Sequence, residues 1–525
     1  MRSTRRKLLQ AGLGASQLLL LDKFGLLGST KARAQSGNGP TKLLTVSFPG
    51  GWMPIYLWCP LTDAQIATHI PAPAVNMGEQ VFFTADQVEN LDGSANGELQ
   101  DGYAKLRVPN LWDIGGNDAS PHGYAWRHYG LHEDHSVVHG VDMGTPSHES
   151  GRISSMCGVA GSTYRAPAMH SVVANALHER FADTRPLACV AVGDAPVPNP
   201  FDLPPTASPI LMPTLDTLAL TLSERRDEAW QGLRTRVDHD EFDYEGVGTG
   251  GRIGTNDLDE HALARMRQMS GRMNAGTDRF YERLYDTYRT ISKQMAQDVV
   301  TTLEGIDGVD PARAAPPSWI TSNTSWGYFC SDIGPGISSD AGQSWAPDFD
   351  LTLKLLKSDL CTSVSLNCWG MGHEYFDHHS AGHRPHFNYV RSAFDVVGRL
   401  IAEMKATPAS SGNGSLLDDT VVVLMSEFAR TWPGSGTCDH WPTTSVAFAG
   451  GGVMGNRSIG GYDLDAGAVN AIGYVGQPTD LTLEGGDAAS RAPTSADVCH
   501  TVYQMMGIHQ FFIPGGSGEI LGLRS

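Results

Sequence analysis

The stretch 361–442 constrains the fold more than any other part of the chain. Two apolar, strand-like runs, 361–369 and 419–431, flank a segment whose apolar residues, Phe394, Val396, Leu400 and Ile401 among them, recur at helical spacing. Strand, helix, strand in that order is the crossover that neighbouring parallel strands require. The first run opens into five histidines and two carboxylates within fourteen residues, from His373 to His386, with Asp377, His379 and His383 among them. The second carries Glu427 and Arg430 at its end and is followed by Asp439 and His440, after which a third apolar run begins near Thr444. Ligands of open α/β sheets bind outside the carboxyl ends of the strands, and metal sites recruit carboxylate and imidazole from separate strand ends. Asp377, His379, Glu427, Asp439 and His440 are therefore candidate metal-site residues; a solvated histidine-rich loop is the plainer alternative.

The rest of the chain fits an α/β domain. Residues 42–48 read as the first buried strand, broken at Pro49-Gly50-Gly51. Residues 135–141 read as a second, running into Gly144-Thr145-Pro146-Ser147-His148, a strand-to-helix turn. A hydroxyl at such a helix amino terminus lies where free N–H groups and the dipole favour an anion, which makes Ser147 a candidate nucleophile; plain capping by Ser147 or Thr145 is the alternative. His122, His128, His132, His135 and His139 show no metal-ligand spacing and read as solvated loop and strand histidines. Residues 187–192 form a further strand. A block of about 215–310, with Met266, Met269, Met273, Phe280 and Leu284 at helical spacing, reads as a helical insertion. Near the end, Thr494, Ser495 and Asp497 cap a helix closed by Gly507. The expected fold is α/β, with a mostly parallel central sheet and helices on both faces.

Residues 1–34 carry Arg5-Arg6-Lys7, an apolar run and the Ala32-Arg33-Ala34 site, the order of a twin-arginine export signal. The mature domain is then expected to span 35–525 and to lie in the periplasm or outside the cell, with the twin-arginine translocase as its expected partner during export. Loss of that leader takes the formal charge from −19 to −25. So acidic a surface repels polyanions and argues against nucleic acid; a phosphorylated or sulfated substrate needs a local cation, which a bound metal supplies. No internal run is long enough for a stable membrane span. Eight cysteines permit disulfides, whose pairing spacing does not reveal.

Taken together, the exported start, Phe376-Asp377-His378-His379 in place of a Trp-Asp-Thr-His element, Ser426-Glu427-Phe428-Ala429-Arg430-Thr431, and the Asp439-His440 pair resemble the "domain of unknown function 1501" family. That family is similar to the alkaline phosphatase and sulfatase superfamily. The resemblance implies an alkaline-phosphatase-like sheet and metal sites flanking a nucleophile. One site would take Asp377, His379 or His383, and His440, with Asp439 and Glu427 as further ligand candidates. A second site is weakened, because the first strand ends in Phe48-Pro49-Gly50 without an aspartate and Glu427-Phe428 stands where an Asp-His pair is expected. Gly144 falls where a sulfatase would have its cysteine, which disfavours a sulfatase of the formylglycine type.

The resulting expectation is an exported metal-dependent hydrolase, with zinc as its divalent metal, cleaving a phosphate or sulfate ester of a small molecule or polymer. Ser147 is then the nucleophile candidate, Glu427 a ligand or general base, and Arg430 an anion clamp or a structural ion pair. The alternative is a non-catalytic binding or assembly protein of the cell envelope on the same fold. Replacing Arg5 and Arg6 with lysine is expected to leave the protein in the cytoplasm, as read by cell fractionation; undiminished delivery to the periplasm would count against the twin-arginine route.

Overall fold

The structure is a computed structural model, and it describes residues 39–54, 57–58, 88–90, 103–109, 129–159, 166–181, 184–185, 187–193, 209–212, 299, 301–303, 305–306, 341–368, 377, 383–412, 414–431, 439–463, 477–484, 490–509, 513 and 517–524. The leader 1–34 and nearly all of the block 215–310 lie outside these residues. The chain divides into two compact units, one of Met1–Leu211 with Gly308–Ser525 and the other Met212–Asp307. No helix among the described residues is long and apolar enough to cross a membrane.

The strands that bear on the site are β1 (Lys42–Ser47), β2 (His135–Asp142), β3 (Cys189–Val192), β4 (Ile210–Met212), β5 (Ser363–Asn367), β6 (Thr420–Met425), β7 (Ala429–Arg430), β8 (His440–Trp441), β9 (Thr443–Ala449) and β10 (Arg457–Ile459). Eight of them form one sheet in the order β10-β2-β9-β6-β1-β5-β3-β4, while β7 and β8 form a separate antiparallel ribbon. The pairs β1–β5, β1–β6, β3–β5 and β2–β10 are parallel. Only β9 runs against its neighbours β6 and β2 among the pairs described, so the sheet is mixed but mostly parallel.

Strands β5 and β6 are not neighbours, contrary to the simple crossover reading; β1 lies between them and pairs with both. Continuously apolar sequence explains the position. Leu43, Leu44 and Val46 of β1 and Val421, Val422, Val423 and Leu424 of β6 are all 0% exposed, so both faces of these strands are covered. One face packs with α1 (His148–Cys157), α2 (Met169–Phe181) and α5 (Ser495–Met505), through Ile153, Met169, Val173 and Val502. Helix α3 (Ala341–Lys357) packs on β3 and β5 and beside α4 (His383–Ala406), the connection from β5 to β6. Helix α5 begins with a reciprocal capping box between Thr494 and Asp497, as its sequence predicts.

Two polar features inside this core have consequences for stability. At the amino end of β1, Lys42 is fully buried, with Asp359 at 2.8 Å and Asp419 at 3.3 Å. Arg185 pairs with the same Asp359 at 2.8 Å and donates to the Thr41 carbonyl at 2.7 Å. The second is a correction: His135 and His139 are buried on β2 rather than solvated. Nδ1–H of His135 donates to the Leu131 carbonyl at 2.6 Å, and His139 sits between the hydroxyls of Ser445 (3.0 Å) and Ser458 (2.8 Å). A strand buried on both faces leaves its imidazoles no route to water, and neutral hydrogen bonds keep them uncharged. Burial lowers His135 to about 4, His139 to about 3 and His170 of α2 to about 4.

Two outcomes are expected. Lys42→Met leaves Asp419 short of its cationic partner and should lower unfolding stability by roughly 3 kcal/mol, read from urea denaturation. The buried histidines make the fold acid-sensitive. An unfolded histidine takes up its proton near pH 6.5, whereas the folded ones do so only near pH 3–4, so the unfolded chain binds more protons across that window. The contribution of these three groups is therefore present above about pH 6.5 and is lost as pH drops below it, by up to ~4 kcal/mol per pH unit for the three together. Urea midpoints between pH 7.5 and 5 test this; a flat profile would contradict it.

Candidate metal centre

Register decides where the candidate residues meet. Ser47, Asn367 and Met425 end β1, β5 and β6 opposite one another, so the turns leaving these three strands emerge at one carboxyl edge. Reversed β9 adds the residues before its start to that edge, because Thr443 pairs with Asp142 at the end of β2. Ribbon β7–β8 sets His440 across from Arg430. The turn after β2 delivers His148 as the first residue of α1, where Ser147 is the exposed N-cap in an extended conformation and makes no side-chain capping bond.

The centre has Asp377 at its hub. His148 Nε2 lies 3.3 Å from its Oδ2, His440 Nε2 lies 3.4 Å from its Oδ1, and the Arg430 guanidinium bonds that same Oδ1. One ligand-capable atom from each of His148, Asp377 and His440 falls within 4.8 Å of the others. The ring protons are assigned by the opposite nitrogens. Nδ1 of His440 faces the Pro146 carbonyl at 2.7 Å, an acceptor only, so Nδ1 carries the hydrogen. Nδ1 of His148 faces the Glu427 carboxylate, where the same logic holds for the ionised acid. In the neutral rings both Nε2 lone pairs are then turned toward a carboxylate. Two acceptors approach favourably only with a cation shared between them, a ring proton or a metal ion.

The three side chains are partly exposed, and their aromatic and backbone neighbours are close. Phe428 stacks on His440 with centroids 4.3 Å apart and lies 4.9 Å from the His148 ring; the two imidazoles meet edge to face at 4.4 Å. Arg430, 1% exposed, donates through Nε to the Gly50 carbonyl at 2.7 Å, and the Gly50 N–H donates to Glu427 Oε1 at 2.9 Å. Backbone at Gly50 thus serves both a buried cation and a buried carboxylate at the strand end where the resemblance implies an aspartate ligand. Next to it, Gly51 has φ +83°, and a Cβ there would sit 2.4 Å from the Phe428 ring. Only glycine lets the chain pass.

Of the residues singled out in the sequence, Asp377 and His440 come together, and Arg430 joins them as the ion-pair partner of Asp377. Glu427 binds His148 and contributes no atom to the ligand group. Asp439 is also outside that group; its backbone N–H donates to Thr431 Oγ1 at 2.9 Å and its carbonyl accepts from the Thr431 N–H at 2.8 Å. His383 is the first residue of α4, with its side chain outside the described residues, as is the whole of His379. His148 was missed by sequence reasoning, which stopped at the hydroxyl of the preceding Ser147. The available signal was an imidazole on the first turn of a helix that starts at a strand's carboxyl end.

Helix α1 reaches the centre because Gly151, one turn beyond His148, lies against the Glu427 carbonyl and the Phe428 ring. A Cβ at Gly151 would be 2.8 Å from the Glu427 carbonyl oxygen and 3.3 Å from the Phe428 ring. Gly151→Ala sets a helix-propensity gain of about 1 kcal/mol against an overpacking penalty of about 1–3 kcal/mol. Backbone cannot yield as a flexible side chain does, so a net loss of roughly 1 kcal/mol is expected in urea unfolding. A variant more stable than the parent would refute this packing argument.

No curated protein and no solved structure matches the chain. Residues 355–482, which include Asp377, Glu427, Arg430 and His440, match the model of a family described as protein of unknown function, DUF1501.

Proposed function

We propose that the protein is an exported, metal-dependent hydrolase acting on a phosphate or sulfate ester, with His148, Asp377 and His440 holding one divalent cation. The observation that carries this reading is the convergence of the three ligand atoms within 4.8 Å, with both Nε2 atoms turned toward Asp377. Two imidazoles and a carboxylate suit zinc, and three protein ligands are the number that leaves a coordination position for a reactant. A bound metal of this kind polarises an ester oxygen and stabilises negative charge as it develops.

The chain's own groups have separable roles. Arg430 fixes the Asp377 carboxylate, so its buried guanidinium acts on that residue rather than on substrate directly. Phe428 shields one side of the His440 ring from water. Ser147, exposed at the N-cap of α1 and immediately before His148, is the candidate nucleophile, at a helix end whose N–H groups favour an anion. With a divalent cation bound, the charges of Asp377, Glu427 and Arg430 leave the centre with a single net positive charge. On an exported chain whose formal charge is −25 after loss of the leader, that local charge favours an anionic ester over a neutral one. A non-catalytic envelope protein is the second reading, favoured by Gly50 and Phe428 in place of the ligands a second metal would need.

Elemental analysis and turnover assays on the purified protein distinguish them. The hydrolase reading expects about one zinc per chain, release of product from an aryl phosphate, phosphodiester or sulfate, and a loss of zinc affinity beyond ~100-fold in Asp377→Asn or His440→Ala, more than outer-shell partners cause. Metal-free protein that stays inactive on all three ester types after zinc is added would remove it.

A further inference from the structure

Glu427 is the most deeply buried acidic group at the centre, and its two oxygens are used unequally. The residue is 0% exposed. Its Oε1 accepts from the Gly50 N–H at 2.9 Å and from His148 Nδ1, while Oε2 has no hydrogen-bond partner among the described residues. A buried carboxylate with one oxygen unsatisfied is expensive unless a strong interaction offsets it, and the charge-assisted bond to His148 is that interaction. His440 is backed differently, by the neutral carbonyl of Pro146. The two imidazoles facing Asp377 are therefore not equivalent.

We infer that Glu427 is a positioning residue that acts through His148, neither ligating a metal nor touching substrate. Its carboxylate holds the hydrogen on Nδ1, fixes the ring so that Nε2 faces Asp377, and makes that nitrogen a stronger donor than the carbonyl-backed Nε2 of His440. Length matters as well as charge. Helix α1 already meets the 427 backbone at Gly151, so it cannot move inward to reach a shorter side chain. Glu427→Gln keeps the reach and loses the charge; Glu427→Asp keeps the charge and loses the reach. The inference rests on the metal reading of His148, Asp377 and His440, and its test separates the two.

Zinc affinity is measured by competition with a chelator for the wild type, both Glu427 variants and Asp377→Asn, with urea midpoints as the check on folding. The imidazole 15N spectrum of the metal-free wild type reports the His148 tautomer without needing any variant. Expected are an Nδ1–H tautomer in the wild type and zinc binding about 10–100-fold weaker in each Glu427 variant. A folded Glu427→Gln that binds zinc within about twofold of wild type, while Asp377→Asn does not bind, overturns the role of Glu427 and leaves the metal centre standing. So does an Nε2–H tautomer in the wild type. Wild type that binds no zinc overturns the metal reading instead, and the tautomer alone then decides whether Glu427 positions the ring.

Discussion

Strand β1 is held between β5 and β6 in a register that puts Ser47 opposite both Asn367 and Met425, and the candidate centre depends on that alignment. Parallel strands ending level with one another send Gly50, Glu427 and Arg430 out at the same edge, close enough for the Gly50 backbone to bond both side chains. At the opposite end of β1, buried Lys42 is locked between Asp359 and Asp419. A one-residue slip would separate those charges and move every β1 side chain to the other face, so the network guards the register from a distance.

Within the centre, charge is arranged in pairs that limit one another. Arg430 is too buried to be tolerated alone, and Asp377 and the Gly50 carbonyl meet it. Asp377 in turn draws two imidazoles, each oriented by a partner on its far nitrogen. Phe428 packs against both rings, and its apolar face strengthens the polar contacts it borders by excluding water on that side. At Gly51 and Gly151 the backbone approaches this cluster too closely for a side chain, one from the end of β1 and one from α1. The centre is thus assembled from both sides onto the turn after β6.

Much of the fold is legible locally. Strand-like runs rich in β-branched and apolar residues mark β1, β2, β5, β6 and β9, and helical spacing marks α4, because burial on both faces or on one stripe leaves its trace in the chain. Asp377 and His440 were also legible, as metal-capable types just past or just before such runs. The order of strands was not. Nothing in the sequence around β5, α4 and β6 says that β1, more than three hundred residues earlier in the chain than either strand, slots between them. His135 and His139 show the limit from the other side, since polar letters in a strand do not reveal that both of its faces are covered.

Residue type and period thus determined by themselves an α/β domain, its main strands, and a concentration of imidazole and carboxylate near strand ends. Tertiary structure alone decided which of those groups meet. His148 joins Asp377 only because β9 runs backwards, pairing its start with the end of β2 and so bringing α1 and His440 to one edge. Glu427 turns toward His148 only because Gly151 lets the helix lie against its backbone. Ligation and hydrogen bonding act over about 2–3 Å, and contacts that short between residues hundreds of positions apart are set by sheet order and strand direction. Neither leaves a mark in the local pattern of the chain.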